Sequence, residues 1–464
     1  MSDASALFAN NFLETTYDRL PAEVVKETKN QVLDFLGVAI GGSAKEGANE
    51  LRELYGEWGG APQSTVWGYR DKFPAPHAAQ INATFGHSLD YDDVHEAATM
   101  HPGVITIPTS FALAETLGGL SGRDFIQGVA VGGDMISRLG LATRPGQNIH
   151  QFGWHFTTLN GFMVSAALAA KLLGLTQEQI VYAIGIGYHQ VSGNGQPVRD
   201  GVLTKRLGPG FAVKGGMTAA LLAQKGVTGA VNAITEGECS YYKVYHGGSY
   251  SEEKLTGGLG THFENTNISI KPYPACRGTH TFIDAALQVR EENGIAPEDI
   301  ESITLWTGKG TRQLLCEPFE HKRAPRNPVD AQFSVPWGAA VALTKGAVGL
   351  GDYTDEAIQD PAVLAMAQRI TLDHDARCDG VGLEPARVGV RTKGGQDFEA
   401  FVEIAKGSPG NMLTFEQVEA KFRDLIQLPP KTVSAENADN IVAFVKDLEN
   451  QPDVTKVLDY LVWE

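Results

Sequence analysis

The first half of the chain carries apolar residues at helical spacing. Between residues 24 and 42 they recur on one helical face, and Gly41-Gly42 ends the run. Comparable patterns predict further helices over 78–89, 105–117, 124–141, 157–173, 178–189 and 211–224. The segment 157–173 is rich in Ala and Leu and almost uncharged, so we predict a buried central helix there. This half is therefore predicted to be nearly all α.

The pattern changes after about residue 266. The segment 300–307 alternates apolar and polar residues as a half-buried strand does, and 387–404 is typical of a hairpin that turns at Gly394-Gly395. Helical patterns return at 339–344, 360–369, 415–425 and 435–448. We predict a mainly α fold. A large all-helical domain is built from both chain ends, 1–266 and 405–464, and a smaller α+β domain over 267–404 is inserted into it.

Composition narrows the possible functions. At 464 residues, two domains are the expectation. The formal charge of −17 argues against binding to nucleic acid or to an anionic membrane surface. Neither a secretory signal nor a run of about twenty apolar residues is visible, and the four scattered cysteines form no CxxC pair. We therefore expect a cytoplasmic protein with reduced thiols, no disulfide framework and no zinc site.

Acidic residues and histidines crowd into residues 87–103, HSLDYDDVHEAATMHPG, with no Lys or Arg among them. Carboxylates and imidazoles placed close together shift one another's proton affinity, which suits acid/base chemistry near neutral pH. If the segment begins as the end of a helix, Asp90 and Asp93 share a face and Asp92 points elsewhere. The following His-Pro-Gly places His101 on a loop. The alternative is a purely structural role, in which one Asp caps the helix beginning near residue 105.

Three other segments carry candidate chemistry. His155, in Gly-Trp-His, precedes the buried central helix, whose positive end favours a neutral imidazole that could act as a base or merely cap the helix. Loop cations next to glycines suit an anionic ligand, although they are often only solvated surface. Such cations occur in a predicted loop over 199–214 closed by Gly-Pro-Gly, namely Arg199, Lys205, Arg206 and Lys214. The proline-stiffened segment KPYPACRGTH adds Lys271, Arg277 and His280.

In this order the motifs resemble the MmgE/PrpD family, whose members include 2-methylcitrate dehydratase, cis-aconitate decarboxylase and iminodisuccinate epimerase. The resemblance covers essentially the whole chain: HSLDYDDVH…HPG, GWH, TKRL…G, KPYPACRGTH, AQFSVPW and GSPGN…EQVEAKFRDL. It implies a helical domain with a smaller α+β lid, a homodimer, and no metal or organic cofactor. Three features differ from the usual family pattern, namely Val94, Trp337 and the Gly208-Pro209-Gly210 that follows Leu207.

Carried over position by position, the resemblance implies an active site on Asp90, His101, His155, Lys205 and Lys271. Asp93 belongs to the same acidic motif, and we add it to the candidate substrate-binding residues, which are Asp93, Arg206, Arg277, His280 and Trp337. The implied substrate is a small anionic carboxylate. We expect His101 and His155 to transfer protons, Asp90 to orient one imidazole, and Lys205, Lys271 and Arg277 to stabilise negative charge.

The reaction predicted first is that of a hydro-lyase, in which a proton is removed next to a carboxylate and water is lost from a hydroxy di- or tricarboxylate. An epimerase of a dicarboxylate is the second reading, and a decarboxylase is the third. A non-catalytic polycarboxylate-binding protein would keep the pocket without turnover. A metal-dependent hydrolase using the acidic run is the remaining alternative.

Overall fold

The fold is described from a computed structural model, for residues 3–143, 153–380, 383–428 and 432–463. Helices dominate these ranges. Those of the first half are α1 (Ala4–Glu14), α2 (Ala22–Gly42), α3 (Ala48–Trp58), α4 (Ala75–His87), α5 (Gly103–Thr116), α6 (Gly122–Leu141), α7 (Phe156–Leu172), α8 (Gln177–His189), α9 (Gln196–Asp200), α10 (Thr204–Gln224), α11 (Tyr241–His246) and α12 (Glu252–Thr256). Those that follow are α13 (His280–Asn293), α14 (Lys309–Thr311), α15 (Phe319–Arg323), α16 (Pro328–Gln332), α17 (Val335–Lys345), α18 (Pro361–Ala367), α19 (Phe415–Leu425) and α20 (Ala435–Lys446).

The strands are few and mostly short. They are β1 (Ser64–Thr65), β2 (Lys72–Phe73), β3 (Val94–His95), β4 (Ile268–Ser269), β5 (Ile300–Thr307), β6 (Ile370–His374), β7 (Ala386–Thr392) and β8 (Asp397–Val402). The chain divides into two compact units, one of residues 1–270 with 414–464 and the other of residues 271–413. Within the described ranges no helix is both long and apolar enough to cross a bilayer.

The first unit is a helical assembly around α7. Nearly the whole of this Ala-rich helix is buried, and α10 packs along it. Glycines permit the close approach, because a Cβ on Gly216 would lie 2.6 Å from the Ser165 side chain and one on Gly161 would lie 2.9 Å from the Ala212 side chain. Since no charged side chain interrupts α7 before its last turn, all its faces can be covered by neighbouring helices.

The second unit is built on a four-stranded sheet in the order β6-β5-β7-β8. Strand β5 runs parallel to β6 and antiparallel to β7, and β7 pairs with β8 through the hairpin. Helices α13 and α17 supply a large part of its hydrophobic core, in which Phe282, Trp337 and Ile303 are fully buried. This unit is therefore α+β, whereas the described residues of the first unit form helices and two-stranded ribbons.

The predicted mainly α fold class is confirmed, and several elements fall where the periodicity placed them. Strand β5 and helix α19 coincide with 300–307 and 415–425, and β7-β8 form the predicted hairpin. The domain boundaries at 266/267 and 404/405 remain predictions. Strand β6 was not predicted, because its apolar residues continue the helical pattern assigned to 360–369.

The predicted loop over 199–214 is wrong for most of its length. Helix α10 begins at Thr204 and runs through Pro209, which is buried inside it. Glycine and proline are typical of loops, but Gly210 serves close packing against α4. A Cβ there would lie 2.6 Å from Thr84 Oγ1 and 2.8 Å from the Gln80 carbonyl oxygen. As a result Lys205 stands in the first turn of a helix.

Candidate active site

A buried carboxylate between two imidazoles forms the centre of the candidate site. Oδ2 of Asp92 lies 2.9 Å from Nδ1 of His87 and 3.2 Å from Nδ1 of His101. The side chains of Asp92 and His87 are fully buried, whereas that of His101 is 14% exposed. The rings of His87 and His101 meet edge to face with centroids 4.9 Å apart. Among these three side chains only His101 reaches solvent.

The charges at this centre are fixed by its surroundings. Burial alone would raise the pKa of Asp92, but His101 and His87 together hold it well below its usual value, so Asp92 is ionised at neutral pH. Burial lowers the pKa of His87 to about 4 even though Asp92 opposes this, and Lys205 adds to the lowering. His87 is therefore neutral. A neutral His87 donates its Nδ1 proton to Asp92, which leaves Nε2 as a potential acceptor.

The loop after α4 places these groups. Its backbone differs from the helix that was assumed when Asp90 and Asp93 were predicted to share a face. The helix ends at His87, and Asp90 adopts a positive φ of 53°, which no helix continues through. Asp90 and Asp93 therefore do not share a helical face, and Asp92 points into the site. Asp92 is thus the carboxylate that lies between His87 and His101, and the predicted orientation of an imidazole by Asp90 remains a prediction.

Asp90 pairs with a cation from a distant helix. Nζ of Lys205, in the first turn of α10, donates to Oδ1 of Asp90 at 2.7 Å, and both side chains are more than nine-tenths buried. The structure thus brings two of the predicted site residues, Asp90 and Lys205, into direct contact. The neighbouring Arg206 turns to another direction and donates to the backbone carbonyl of Glu46 at 2.8 Å.

His155 joins the same cluster. It precedes α7 directly, and its Nδ1 lies 2.7 Å from Oγ1 of Thr158. Its ring centroid is 5.8 Å from that of His87. The pKa of His155 is held well below its usual value, first by removal of the ring from water and then by His87 and Lys205. The neutral imidazole that the sequence predicted is thus supported, with burial as the larger cause.

Asp93 anchors the helix that follows the loop. Both of its carboxyl oxygens accept from the backbone N–H of Gly103, at 3.0 and 3.1 Å, so Asp93 satisfies a donor at the start of α5. A Cβ at Gly103 would lie 2.8 Å from Asp93, which leaves room only for glycine. Burial, Asp92 and Asp34 raise the pKa of Asp93 well above its usual value. These contacts give Asp93 a supporting place next to His101.

His95 and Glu96 support the loop from its other side. The backbone of β3 pairs with β4, and Nε2 of His95 lies 3.1 Å from Oε2 of Glu264, while its Nδ1 accepts from the N–H of Ala98. Oγ of Ser269 donates to Glu96 at 2.6 Å. Both nitrogens of His95 are thus occupied, and this histidine is structural.

Four of the predicted site residues lie in the second unit, and three of them belong to the segment KPYPACRGTH. Lys271 and Arg277 are buried, and Arg277 donates to Nδ1 of His280 at 2.6 Å and to Oγ of Ser408 at 2.5 Å. His280 directs its Nε2 to the carbonyl of Ala275 at 3.2 Å. The meeting of Lys271, Arg277 and His280 with the histidines of the first unit remains a prediction.

Trp337 requires a correction. Its indole is fully buried in the core of the second unit, and its N–H donates to the carbonyl of Asp352 at 3.2 Å. A side chain with neither accessible surface nor an unused N–H cannot bind substrate, so Trp337 is part of the core. Its place in a family motif had suggested otherwise.

The central cluster also has the chemistry of a metal tripod. His87, Asp92 and His101 each offer one ligand atom, and these atoms lie within 4.8 Å of one another. Two imidazoles and a carboxylate suit a divalent transition metal. Because Nδ1 of His87 and Oδ2 of Asp92 lie at hydrogen-bond distance, these atoms can share a proton where they could otherwise bind a metal.

The positions of His87 and Asp92 at the centre of this cluster were not predicted. Both residues lie in the acidic and histidine-rich segment, and that crowding was the available signal. Their five-residue separation matches neither a helix nor a strand, because the pairing depends on the backbone turn at Asp90. Composition therefore located the site, but spacing could not assign its partners.

Comparison with known proteins identifies the family. A model of the MmgE/PrpD N-terminal domain matches residues 7–253, and a model of the MmgE/PrpD C-terminal domain matches residues 273–450. The chain belongs to the MmgE/PrpD family, which confirms the resemblance drawn from its motifs.

Relatives with different activities match to different extents. A cis-aconitate decarboxylase-like protein of Aspergillus oryzae is 26% identical over 476 residues, covering 98% of this chain and 96% of that protein. The cis-aconitate decarboxylase of Mus musculus is 27% identical over 450 residues, covering 94% and 89%. The 2-methylcitrate dehydratase of Escherichia coli is 27% identical over 224 residues, covering 46% and 44%.

The buried neutral His87 predicts an acid-sensitive fold. Its pKa falls from 6.5 in the unfolded chain to about 4 in the fold, so between these pH values the unfolded chain binds more protons. The free energy of unfolding should therefore drop as the pH is lowered from about 6.5 to about 4, with about 3 kcal/mol from this group. In urea titrations across this range, His87→Gln should flatten the dependence, whereas His189→Gln, at an exposed position on α8, should keep the wild-type slope.

The absence of a side chain at Gly208 lets α10 pack closely against Thr158 and His155. A Cβ at this position would lie 2.6 Å from Oγ1 of Thr158 and 3.7 Å from Nδ1 of His155. Gly208→Ala should displace Thr158, release the His155 ring and lower turnover at least about tenfold, as misplacement of a reacting group does. Gly226→Ala would be a poor control because of its positive φ, so Gly56→Ala on α3, where a Cβ meets nothing within 4 Å, is the matched variant. Wild-type turnover in Gly208→Ala would contradict the proposed role of His155.

Proposed function

We propose that this protein is a lyase that transfers a proton at a carbon next to a carboxylate in a small di- or tricarboxylate. The observation that carries the proposal is the ionised Asp92 held between His87 and His101, with His155 beside them. Such a cluster can hold and deliver a proton, because the carboxylate stabilises an imidazolium whenever one forms.

The roles divide according to exposure and charge. Of the two imidazoles beside Asp92, His101 is the one that reaches solvent, so we assign it the transfer of a proton to or from the substrate carbon. His155, neutral and hydrogen-bonded to Thr158, is assigned to the second proton transfer or to orienting the substrate. His87 holds Asp92 in place from the buried side.

The substrate carboxylate is assigned to Lys205. Its ammonium is held by Asp90 at 2.7 Å in a buried setting, where a fixed positive charge stabilises negative charge far more strongly than it does in water. An ammonium carries three N–H donors, so Lys205 can hold Asp90 and a substrate oxygen together. Lys271 and Arg277 are proposed to provide further positive charge.

Decarboxylation is the reaction we place first. Relatives named cis-aconitate decarboxylase match over nearly the whole chain, whereas those named 2-methylcitrate dehydratase match over less than half of it. In a β,γ-unsaturated carboxylate the carbon–carbon bond to the carboxyl group breaks, CO2 leaves, and the electron pair shifts the double bond. His101 then gives one proton to the far carbon of the former double bond, and solvent restores that proton.

Dehydration is the second candidate, and it was the first choice from the motifs alone. Here the same imidazoles would remove the proton next to the carboxylate and protonate the leaving hydroxyl group. The match to 2-methylcitrate dehydratase covers less than half of this chain, so it supports dehydration less strongly than the longer matches support decarboxylation. Epimerisation needs the proton exchange without bond cleavage at any other position.

One experiment separates these reactions. The purified protein is incubated in deuterated water with cis-aconitate, 2-methylcitrate, citrate and a chiral dicarboxylate, and the products are followed by NMR. We expect CO2 release, with one deuterium in the unsaturated product. Water loss without CO2 would favour the dehydratase, and deuterium in recovered substrate alone would favour an epimerase. Saturable ligand stabilisation with no turnover would identify a binding protein, and loss of activity on chelation would identify a metal-dependent enzyme.

His101→Gln tests the assignment of the proton-transfer residue. Removing a general acid or base should lower turnover at least about a hundredfold. Substrate binding should change little, because the Lys205 ammonium remains. Steady-state kinetics of His101→Gln are compared with those of His189→Gln on the outside of α8. Turnover within a few-fold of wild type would remove His101 from the mechanism.

Lys205→Met tests the carboxylate-binding role. Loss of the ammonium leaves the buried Asp90 without this cation and removes the proposed partner of the substrate, so kcat/KM should fall at least about a hundredfold. The matched control is Lys225→Met, an exposed lysine directly after α10. Equal kinetics for the two variants would contradict the assignment.

A further inference from the structure

A buried lysine from the end of the chain touches the loop that carries the candidate site. Lys421 lies on α19, and its side chain is only 6% exposed. Its Nζ lies 2.6 Å from Oδ1 of Asp34 on α2 and donates to the backbone carbonyl of Tyr91 at 2.8 Å. The same ammonium stands 3.8 Å from the centroid of the Tyr91 ring.

The contacted carbonyl is close to the reacting groups. The Tyr91 carbonyl belongs to the peptide bond that leads into Asp92, so holding this oxygen fixes the plane of that peptide. The segment from Ser88 to Asp93 is neither helix nor strand, and Asp90 within it adopts an unfavourable positive φ. A segment of this kind keeps one conformation only when contacts from outside determine it.

The position of Lys421 is itself rigid. Helix α19 begins with a capping box of Thr414 and Gln417, and it packs closely on α2, where a Cβ at Gly37 would lie 3.1 Å from Phe422. A buried ammonium needs an anion and hydrogen-bond acceptors, and Asp34 and the Tyr91 carbonyl provide them. The charge is thus directed at the loop by two packed helices.

From these contacts we infer that Lys421 is a positioning residue for the Asp92 centre: its ammonium clamps the Tyr91–Asp92 peptide and so fixes the carboxylate between His87 and His101. The kinetic consequence rests on the proposed function, whereas the effect on the loop does not. Lys421 touches no proposed substrate atom, so it acts on the rate of chemistry through geometry.

The test compares Lys421→Met, Lys421→Arg and Lys29→Met. Lys29 lies on α2 in the first unit, and its largely buried Nζ lies 2.7 Å from Oε2 of Glu449, so its replacement removes a similar ammonium contact that does not involve residues 88–103. We expect kcat of Lys421→Met to fall at least about tenfold, with KM within about threefold of wild type. Lys421→Arg should recover at least about threefold of the loss, and Lys29→Met should keep the wild-type kcat.

Hydrogen exchange followed by mass spectrometry tests the contact of Lys421 with the loop independently of any enzymatic activity. Peptides covering 88–103 should exchange faster in Lys421→Met than in wild type, and those of α7 should not. If Lys421→Met does not fold, the double variant Asp34→Asn/Lys421→Met, which leaves neither charge buried alone, replaces it. Unchanged exchange in 88–103, or a kcat within twofold of wild type, overturns the inference. If the wild-type protein is inactive on every carboxylate tested, only the proposed function is contradicted. The hydrogen-exchange measurement still tests whether Lys421 holds the Tyr91–Asp92 peptide in place.

Discussion

The structure of the candidate site depends on one buried negative charge. Asp92 has no exposed surface, and it stays ionised because His87 and His101 approach it from two sides. Removing a carboxylate from water is costly unless hydrogen bonds and opposite charge replace the lost hydration. The arrangement of the surrounding chain follows from this requirement. Helix α4 delivers one imidazole, the segment before α5 delivers the other, and the backbone between them turns sharply.

The site also shows how a strongly acidic protein can present positive charge to an anionic ligand. The chain carries a formal charge of −17, yet Lys205 and Lys421 are both buried in the first unit and each is paired with an aspartate. Local potential inside a low-dielectric region is set by near neighbours and much less by distant surface charge. A carboxylate could therefore be attracted to Lys205 against the sign of the whole molecule.

The sequence predicted those parts of the fold that depend on local periodicity. The Ala-rich α7, strand β5 and the β7-β8 hairpin have patterns that only one kind of element satisfies. The run of acids and histidines likewise located the candidate site. The identity of the partners could not be predicted, because the His87–Asp92 pair depends on a positive φ at Asp90 and the contact of Lys421 spans 330 residues. Such pairings are decided by tertiary packing. The Gly-Pro-Gly in α10 misled the prediction for the same reason, since those residues serve contact with α4 and His155.

The first unit is discontinuous, since it consists of residues before 271 and residues after 413. Helix α19, which supplies Lys421, is therefore synthesised only after the entire second unit has been synthesised. Until then Asp34 and the carbonyl of Tyr91 lack the Lys421 ammonium. A nascent or prematurely terminated chain that lacks α19 thus carries the acids and histidines without one of their supports, so the loop that carries Asp92 is fully held only once α19 has been made.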